Sequence, residues 1–528
     1  MKRWLQLTAL LLVLAVLSGC GFSSLFMPQP GGTELTYTRP DMDEHERVLE
    51  EACQAARTET DLDKVLDQIY TYYDVYDRFY AANNLSYIHY CSDVTDIYWE
   101  QEYDFCAQNL ATVDAGLESL YYALADSPIR EQLEAEEHFG AGFFDSYQGE
   151  NQWDDPELIA LFEEETALIN EYYALSEAFD AADYYSDSWF DENEPKMGQL
   201  LVDLIRVRQQ QAAYFGYDSY QEFSYDFYHY RDYTPQQAIP YLEEVAAHLV
   251  DIYKEANLSD VWELGWEEST DRENFAYVKG AAQAMRGDIA EAFRFLEENK
   301  LYDIAWGENK YPISFETFIP HFYVPFVFMA PDGTVYDRLT FAHEFGHFVN
   351  DYVCDGSSAG TDVAEIQSQT LEYLSLFYGE NTEDLTRLKL ADSLCGYVEQ
   401  AAYALFEHKA YDLQGEALTV ENVRALYGEV GTAFGFDSWD WDSRDYVTMS
   451  HFYDHPMYVI SYVVSNDLAM QIYQLEAEES GAGLEIYEEC IQSGDSFVMA
   501  FAQEYGLESP FAPGRLEAVR KTFETALD

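Results

Sequence analysis

From Asp41 to about Ile304, apolar residues recur at intervals of three and four with acids between them, a period that fits amphipathic helices and little else. Leu62, Leu66, Ile69, Tyr73 and Tyr76 make one such face, and Leu117, Leu120, Tyr121 and Leu124 make another. Most of the 45 tyrosines fall on these helices among acids, where an aromatic stripe serves as core and half-buried surface. Charge and proline interrupt the pattern at Asp191 to Pro195, which suggests an N-terminal helical region over 41–195 and a second region over 196–528. Thr234-Pro235-Gln236-Gln237 reads as a helix start, with Thr as cap, Pro in the first position and Gln placed for a capping box.

The texture changes between Pro312 and Tyr336. Ile313 to Ile319 and Tyr323 to Phe328 are aromatic and β-branched, and Pro331-Asp332-Gly333-Thr334 follows as a turn. Pro320 and Pro325 argue for edge strands, so a small edge-strand sheet is expected just before the next helix in sequence. Such an edge can pair with an extended peptide.

Lys2 and Arg3, then an apolar run to Leu17 and the end Leu17-Ser18-Gly19-Cys20, read as a signal peptide over 1–19 that is too short for a membrane span. Its end resembles the lipobox of bacterial lipoproteins. That resemblance implies a diacylated Cys20, a tether over 20–40, and an extracytoplasmic protein that meets the membrane only through its lipid.

The chain has 28 basic and 99 acidic residues, a net charge of −71. Such a balance disfavours nucleic acid and anionic membrane faces as partners, and suits a solvated acidic surface. Six cysteines follow Cys20 with no metal-ligand spacing and no disulfide framework, so most of them are expected as buried small apolar residues.

Residues 343–347 read His-Glu-Phe-Gly-His. On a helix, His343 and His347 lie one turn apart on one face and can reach one zinc ion, with Glu344 placed to take a proton from an attacking water. This helix is expected to start near Asp337, with Asp337 as its cap, and to run to Cys354-Asp355-Gly356. The next is expected from Thr361 or Asp362 to about Tyr378, stopped by Gly379. Two helices joined so closely should pack together. A third histidine ligand is absent, because position 350 is Asn and position 353 is Val. Asp362, Glu365 and Glu372 on the following helix all remain candidates, and Glu365 has a competing role as the glutamate of a capping box begun by Asp362.

Thr340 to His347, followed by Val363-Ala364-Glu365-Ile366-Gln367-Ser368-Gln369-Thr370-Leu371-Glu372, resembles the active site of the oligoendopeptidase F and thimet oligopeptidase family of zinc metallopeptidases. The likeness extends to Val324-Pro325-Phe326-Val327-Phe328, Tyr214 to Tyr220 and Tyr230 to Thr234, covering most of the chain from about Arg206 onwards. It implies Glu365 as third ligand of one Zn2+ per chain. It also implies a mainly α, two-lobed helical zincin-like fold enclosing a deep channel for short oligopeptides. His451-Phe452-Tyr453-Asp454-His455-Pro456-Met457-Tyr458-Val459-Ile460-Ser461-Tyr462 resembles the family's C-terminal signature, which implies that His451, Tyr458 and Tyr462 face the substrate carbonyl. Tyr458 and Tyr462, at i and i+4, would share a helical face. His455 has no counterpart, and Ile460 stands where many members have a further tyrosine. The expectation is thus a zinc metalloendopeptidase. Its rival is a non-catalytic lipid-anchored lipoprotein that keeps the channel to bind peptides, against which the intact His343, Glu344, His347 and Glu365 argue.

Overall fold

The computed structural model describes residues 35–136, 138–147, 149, 155–176, 186–255, 259–354, 356, 360–436, 441–492 and 497–527. The expected signal peptide, Cys20 and the first part of the tether, residues 20–34, lie outside these residues. The fold is mainly helical with one small sheet, as the periodicity requires. The chain divides into two units that interleave in sequence: one takes residues up to Thr166 with Leu296–Ala330, the other Ala167–Phe295, Pro331–Cys354 and Ser358–Asp528.

In the first unit, helices α1 (Met42–Thr58), α2 (Leu62–Ser92) and α3 (Ile97–Ala125) pack on one another. Asp41 caps α1 by accepting from the N–H groups of Asp43 and Glu44. Of the predicted faces, Ile69, Tyr73, Tyr76, Leu117, Leu120, Tyr121 and Leu124 are buried, while Leu62 and Leu66 pack partly covered at the rim. The tyrosines here are core, as expected of such a stripe.

Strands β1 (Tyr302–Asp303), β2 (Ser314–Ile319) and β3 (Val324–Met329) form a sheet of order β1-β3-β2. β2 and β3 are antiparallel from Ser314↔Met329 to Ile319↔Val324, whereas β1 runs parallel to β3 at Tyr302↔Val327 and Asp303↔Phe328. The expectation of edge strands alone is therefore corrected: β3 is central. It tolerates Pro325 because β1 reaches only Val327 and Phe328, which leaves the proline with a strand on one side only.

In the second unit, α4 (Asp187–Tyr214) runs straight through the expected break and boundary at Pro195. Tertiary contacts override the local signal. Glu194 is buried and accepts from Arg424 Nε at 2.9 Å and from Tyr446 Oη at 2.6 Å, holding the helix where proline deprives it of a hydrogen bond. α5 (Pro235–Glu255) starts where predicted, with the Thr234 N–H donating to Gln237 Oε1 at 3.0 Å.

Four further helices carry the site: α6 (Asp337–Val353), α7 (Thr361–Tyr378), α8 (Glu383–Tyr411) and α9 (Ile460–Glu478). α7 packs against both α6 and α9, and every residue from Glu365 to Leu376 is buried. Buried polar side chains on such a helix find most of their partners in neighbouring segments. Accordingly, Gln367 Nε2 donates to the Cys490 carbonyl at 3.1 Å and Gln369 Nε2 to Ser465 Oγ at 2.9 Å. Gly346 sets the spacing to α6: a Cβ there would lie 2.6 Å from Ser368 Cα.

Asp337 does not cap α6. Its carboxylate instead accepts from the N–H groups of Asp332, Gly333 and Thr334 at 2.9 to 3.0 Å, tying down the expected turn, in which Gly333 has φ of 78°. Cys53, Cys91, Cys106, Cys354, Cys395 and Cys490 are all free thiols, and four of the six are buried. No helix among the described residues is long and apolar enough to cross a membrane.

Candidate active site

His343 and His347 project from one face of α6, and their Nε2 atoms are 3.3 Å apart. Glu365 on α7 brings Oε2 to 3.5 Å from His343 Nε2. Ligand atoms of all three residues lie within 4.8 Å of one another. Around a tetrahedral zinc with bonds of about 2.0 to 2.1 Å, ligand atoms stand roughly 3.3 to 3.4 Å apart, so two of the three edges are already close to that length. Two imidazoles, one carboxylate and no fourth protein ligand within this group make a donor set suited to a catalytic zinc with one open position.

The three acids left open by spacing have separate fates. Asp362 is buried against Arg231, 3.4 Å from its Nε. Glu372, two turns beyond Glu365, accepts from His343 Nδ1 at 2.9 Å. This hydrogen bond places a proton on Nδ1 and turns Nε2 toward His347 and Glu365, as the atom that a metal would take in exchange for its proton. Glu365 takes no part in a capping box; Gly360 stands at the start of α7, and Glu365 Oε1 accepts from Tyr458 Oη at 3.0 Å.

The electrostatics follow from burial. Burial opposes charge on His343, but the Glu372 hydrogen bond and the Glu365, Glu372 and Glu344 carboxylates outweigh it and lift its pKa to about 9. His347 goes the other way, held neutral by burial and by its charged neighbour His343. Burial raises Glu365, while Glu372 is lowered because Lys389 and His343 overcome its desolvation. Lys389 Nζ sits 2.8 Å from Glu372 Oε2 and is itself buried.

Tyr458 and Tyr462 come together, but not along one helix. α9 begins only at Ile460, and Met457 has φ of 66°. Tyr458 precedes the helix in a tight turn in which the Ser461 N–H donates to the Tyr458 carbonyl and the Tyr462 N–H to that of Val459. Their rings are 5.3 Å apart, and the His451 ring is 5.9 Å from Tyr458 and 6.3 Å from Tyr462. Burial lowers the pKa of His451 and raises those of both phenols, so all three are neutral groups able to donate hydrogen bonds. His455, whose Nδ1 is 2.8 Å from Asp454, is 6.2 Å from Tyr458 between ring centres.

Sequence reasoning missed the supports of this arrangement. The buried Arg231 donates through Nη2 to Ser461 Oγ at 2.8 Å and faces Asp362, so it links the start of α7 to the start of α9. Arg208, fully buried, donates to the Phe452 and Tyr453 carbonyls beside His451. For Arg208 the signal in sequence is a basic residue on an otherwise apolar helical face in a chain poor in basic residues; Arg231 lies in a loop and carries no such signal.

The pattern of the Peptidase M3 N-terminal domain matches residues 33–152. No curated protein sequence matches the chain. Among solved structures, PZ peptidase A superposes with a TM-score of 0.75 at 20% identity, over 94% of this chain and 99% of that one. A protein assigned as oligoendopeptidase F from Bacillus anthracis gives 0.72 at 20% identity over 93% of this chain and 97% of that one. Oligoendopeptidase F from Enterococcus faecium gives 0.57 at 16% identity over 92% and 97%. The fold is thus that of the oligoendopeptidase F structures, and residues 33–152 resemble the Peptidase M3 N-terminal domain.

Proposed function

We propose that this protein is a zinc metallopeptidase that hydrolyses short oligopeptides, with His343, His347 and Glu365 as the metal ligands. The observation that carries the reading is the pair of ligand-atom separations, 3.3 and 3.5 Å, on a helix that also carries Glu344. When bound, the zinc supplies Lewis acidity toward a water and the scissile carbonyl. Glu344 accepts the proton of the attacking water and passes it to the leaving amine. Tyr458, Tyr462 and His451 donate hydrogen bonds toward the oxygen that becomes negative. Glu372 holds the His343 ring in the tautomer that ligation needs.

The test is to purify the protein, quantify bound zinc and follow quenched fluorescent peptides with and without chelator. Cleavage that chelator abolishes and zinc restores supports the reading. Bound zinc with no turnover across a broad peptide library would leave a peptide-binding protein in its place.

The site of action proposed is outside the cell, with the chain anchored through a diacylated Cys20; the apolar run and Leu17-Ser18-Gly19-Cys20 support this. Palmitate labelling lost in Cys20→Ala checks it. An unlabelled wild-type chain refutes it.

A further inference from the structure

A cavity of about 1030 Å³ starts at His343, Glu344 and Tyr462 and continues along α8. The face of α8 on this cavity steps through Lys389, Asp392, Gly396 and Glu399, at intervals of three and four. One turn to either side of the glycine, a carboxylate holds a tyrosine: Asp392 Oδ1 accepts from Tyr336 Oη at 2.7 Å and Glu399 Oε1 from Tyr253 Oη at 3.0 Å. Both rings line the cavity, together with Trp262 and Leu339.

Gly396 lies inside a helix of 29 residues, where glycine is disfavoured relative to alanine. Its φ is not in the left-handed region, and a Cβ added there would meet no described atom of another segment within 4 Å. Neither backbone conformation nor close packing requires a glycine at this position. What the missing side chain provides is open space on the cavity face of α8, one turn from each of the carboxylates that hold the two phenols.

We infer that Gly396 is the floor of a specificity subsite that accepts a large aromatic side chain of the peptide, with Tyr253, Trp262 and Tyr336 as its walls. This rests on the peptidase reading and names the residue class that the cavity selects. Lys254 and Lys389 line the cavity alongside Glu344, Glu372, Asp392 and Glu399, and Lys389 is paired with Glu372 and Asp392, so the wall carries both signs, and size and aromaticity do the selecting.

The test compares wild type, Gly396→Ala and Gly396→Leu on peptides identical except for Ala, Phe, Trp or Arg at one position, scanned across the cleaved bond. The wild type should favour Phe or Trp over Ala at one position by about tenfold or more in kcat/KM. Gly396→Leu should collapse that ratio, mainly through KM, with Gly396→Ala intermediate. The same labelled peptides are titrated against Glu344→Gln with and without Gly396→Leu, so that selectivity is read from binding as well. Selective binding without wild-type cleavage would remove the peptidase reading and leave the subsite standing. Cleavage with no aromatic preference, a preference for Arg, or a Gly396→Leu loss equal for every peptide would each overturn the subsite. Both substitutions raise helix propensity, and a thermal melt of each checks that the fold is retained.

Discussion

Glu372 bridges a histidine and a lysine: its Oε1 lies 2.9 Å from His343 Nδ1 and its Oε2 lies 2.8 Å from Lys389 Nζ. Lys389 keeps the carboxylate charged in a buried place, and the carboxylate fixes the imidazole. Glu372→Ala should lower zinc affinity by about 10- to 100-fold, measured by competition with a chelator of known affinity. Unchanged affinity would remove Glu372 from the support of the metal.

Glu344 is buried on α6 between the two histidines in sequence, yet it is absent from the group of close ligand atoms. Glu344→Gln should retain stoichiometric zinc while turnover falls by about 10² to 10⁴. Loss of zinc along with activity would show a ligand where a base is proposed.

Tyr458 Oη donates to Oε1 of the proposed ligand Glu365 at 3.0 Å. Removing one oxyanion donor typically costs about 10² to 10³ in kcat. Tyr458→Phe should show that loss with KM little changed, in steady-state kinetics on one peptide. An effect confined to KM would assign Tyr458 to ground-state binding.

Arg231 and Asp362 are both buried, and the guanidinium also stacks 4.4 Å from the Tyr225 ring centre. Breaking a buried pair by removing one partner costs about 3 to 5 kcal/mol, because the other charge stays buried. Arg231→Met should lose stability on that scale in urea, and Arg231→Met with Asp362→Leu should recover much of it.

The fold was legible wherever burial follows helical period. The faces on α2 and α3 and the limits of α6 and α7 came from local pattern, and the start of α5 from its cap, while the caps expected from Asp337 and Asp362 did not form. What failed were local signals that distant residues override. Pro195 looks like a break until Arg424 and Tyr446 reach Glu194, some 230 and 252 residues away in sequence. Pro325 looks like an edge until the two-residue β1 places it in a central strand. In the site, the two histidines were fixed by spacing alone, but three acids on α7 were equivalent until the opposite sides of the His343 ring separated Glu365 from Glu372. Tyr458 was placed near Tyr462 for the wrong local reason, since a turn rather than a helix carries it.

Glu407 gives a pH dependence that is independent of the metal ligands. Burial raises its carboxyl from 4.5 to about 8, against the Met457 N–H and the Arg208 and Arg231 charges that pull it down. Below 4.5 both folded and unfolded chains hold the proton, and the contribution to stability is complete. Between 4.5 and about 8 the unfolded chain releases the proton while the folded chain keeps it, so this contribution is lost as pH rises. Glu407→Gln keeps an acceptor for the Met457 N–H, which now donates to Glu407 Oε1 at 2.8 Å. The variant should gain thermal stability relative to wild type as pH goes from 5 to 8.5. A difference that stays constant with pH would refute the assignment.

The close approach of α6 and α7 bears on how much this site can vary over generations. Gly346 has no room for a Cβ against Ser368, and Phe345 is buried with its ring 5.0 Å from that of Phe293. The two positions of the pentad that chemistry leaves open are therefore closed by packing. A mutational scan over 343–347 should find no tolerant position, and Gly346→Ala should be rejected as firmly as the loss of a ligand, for reasons of space alone.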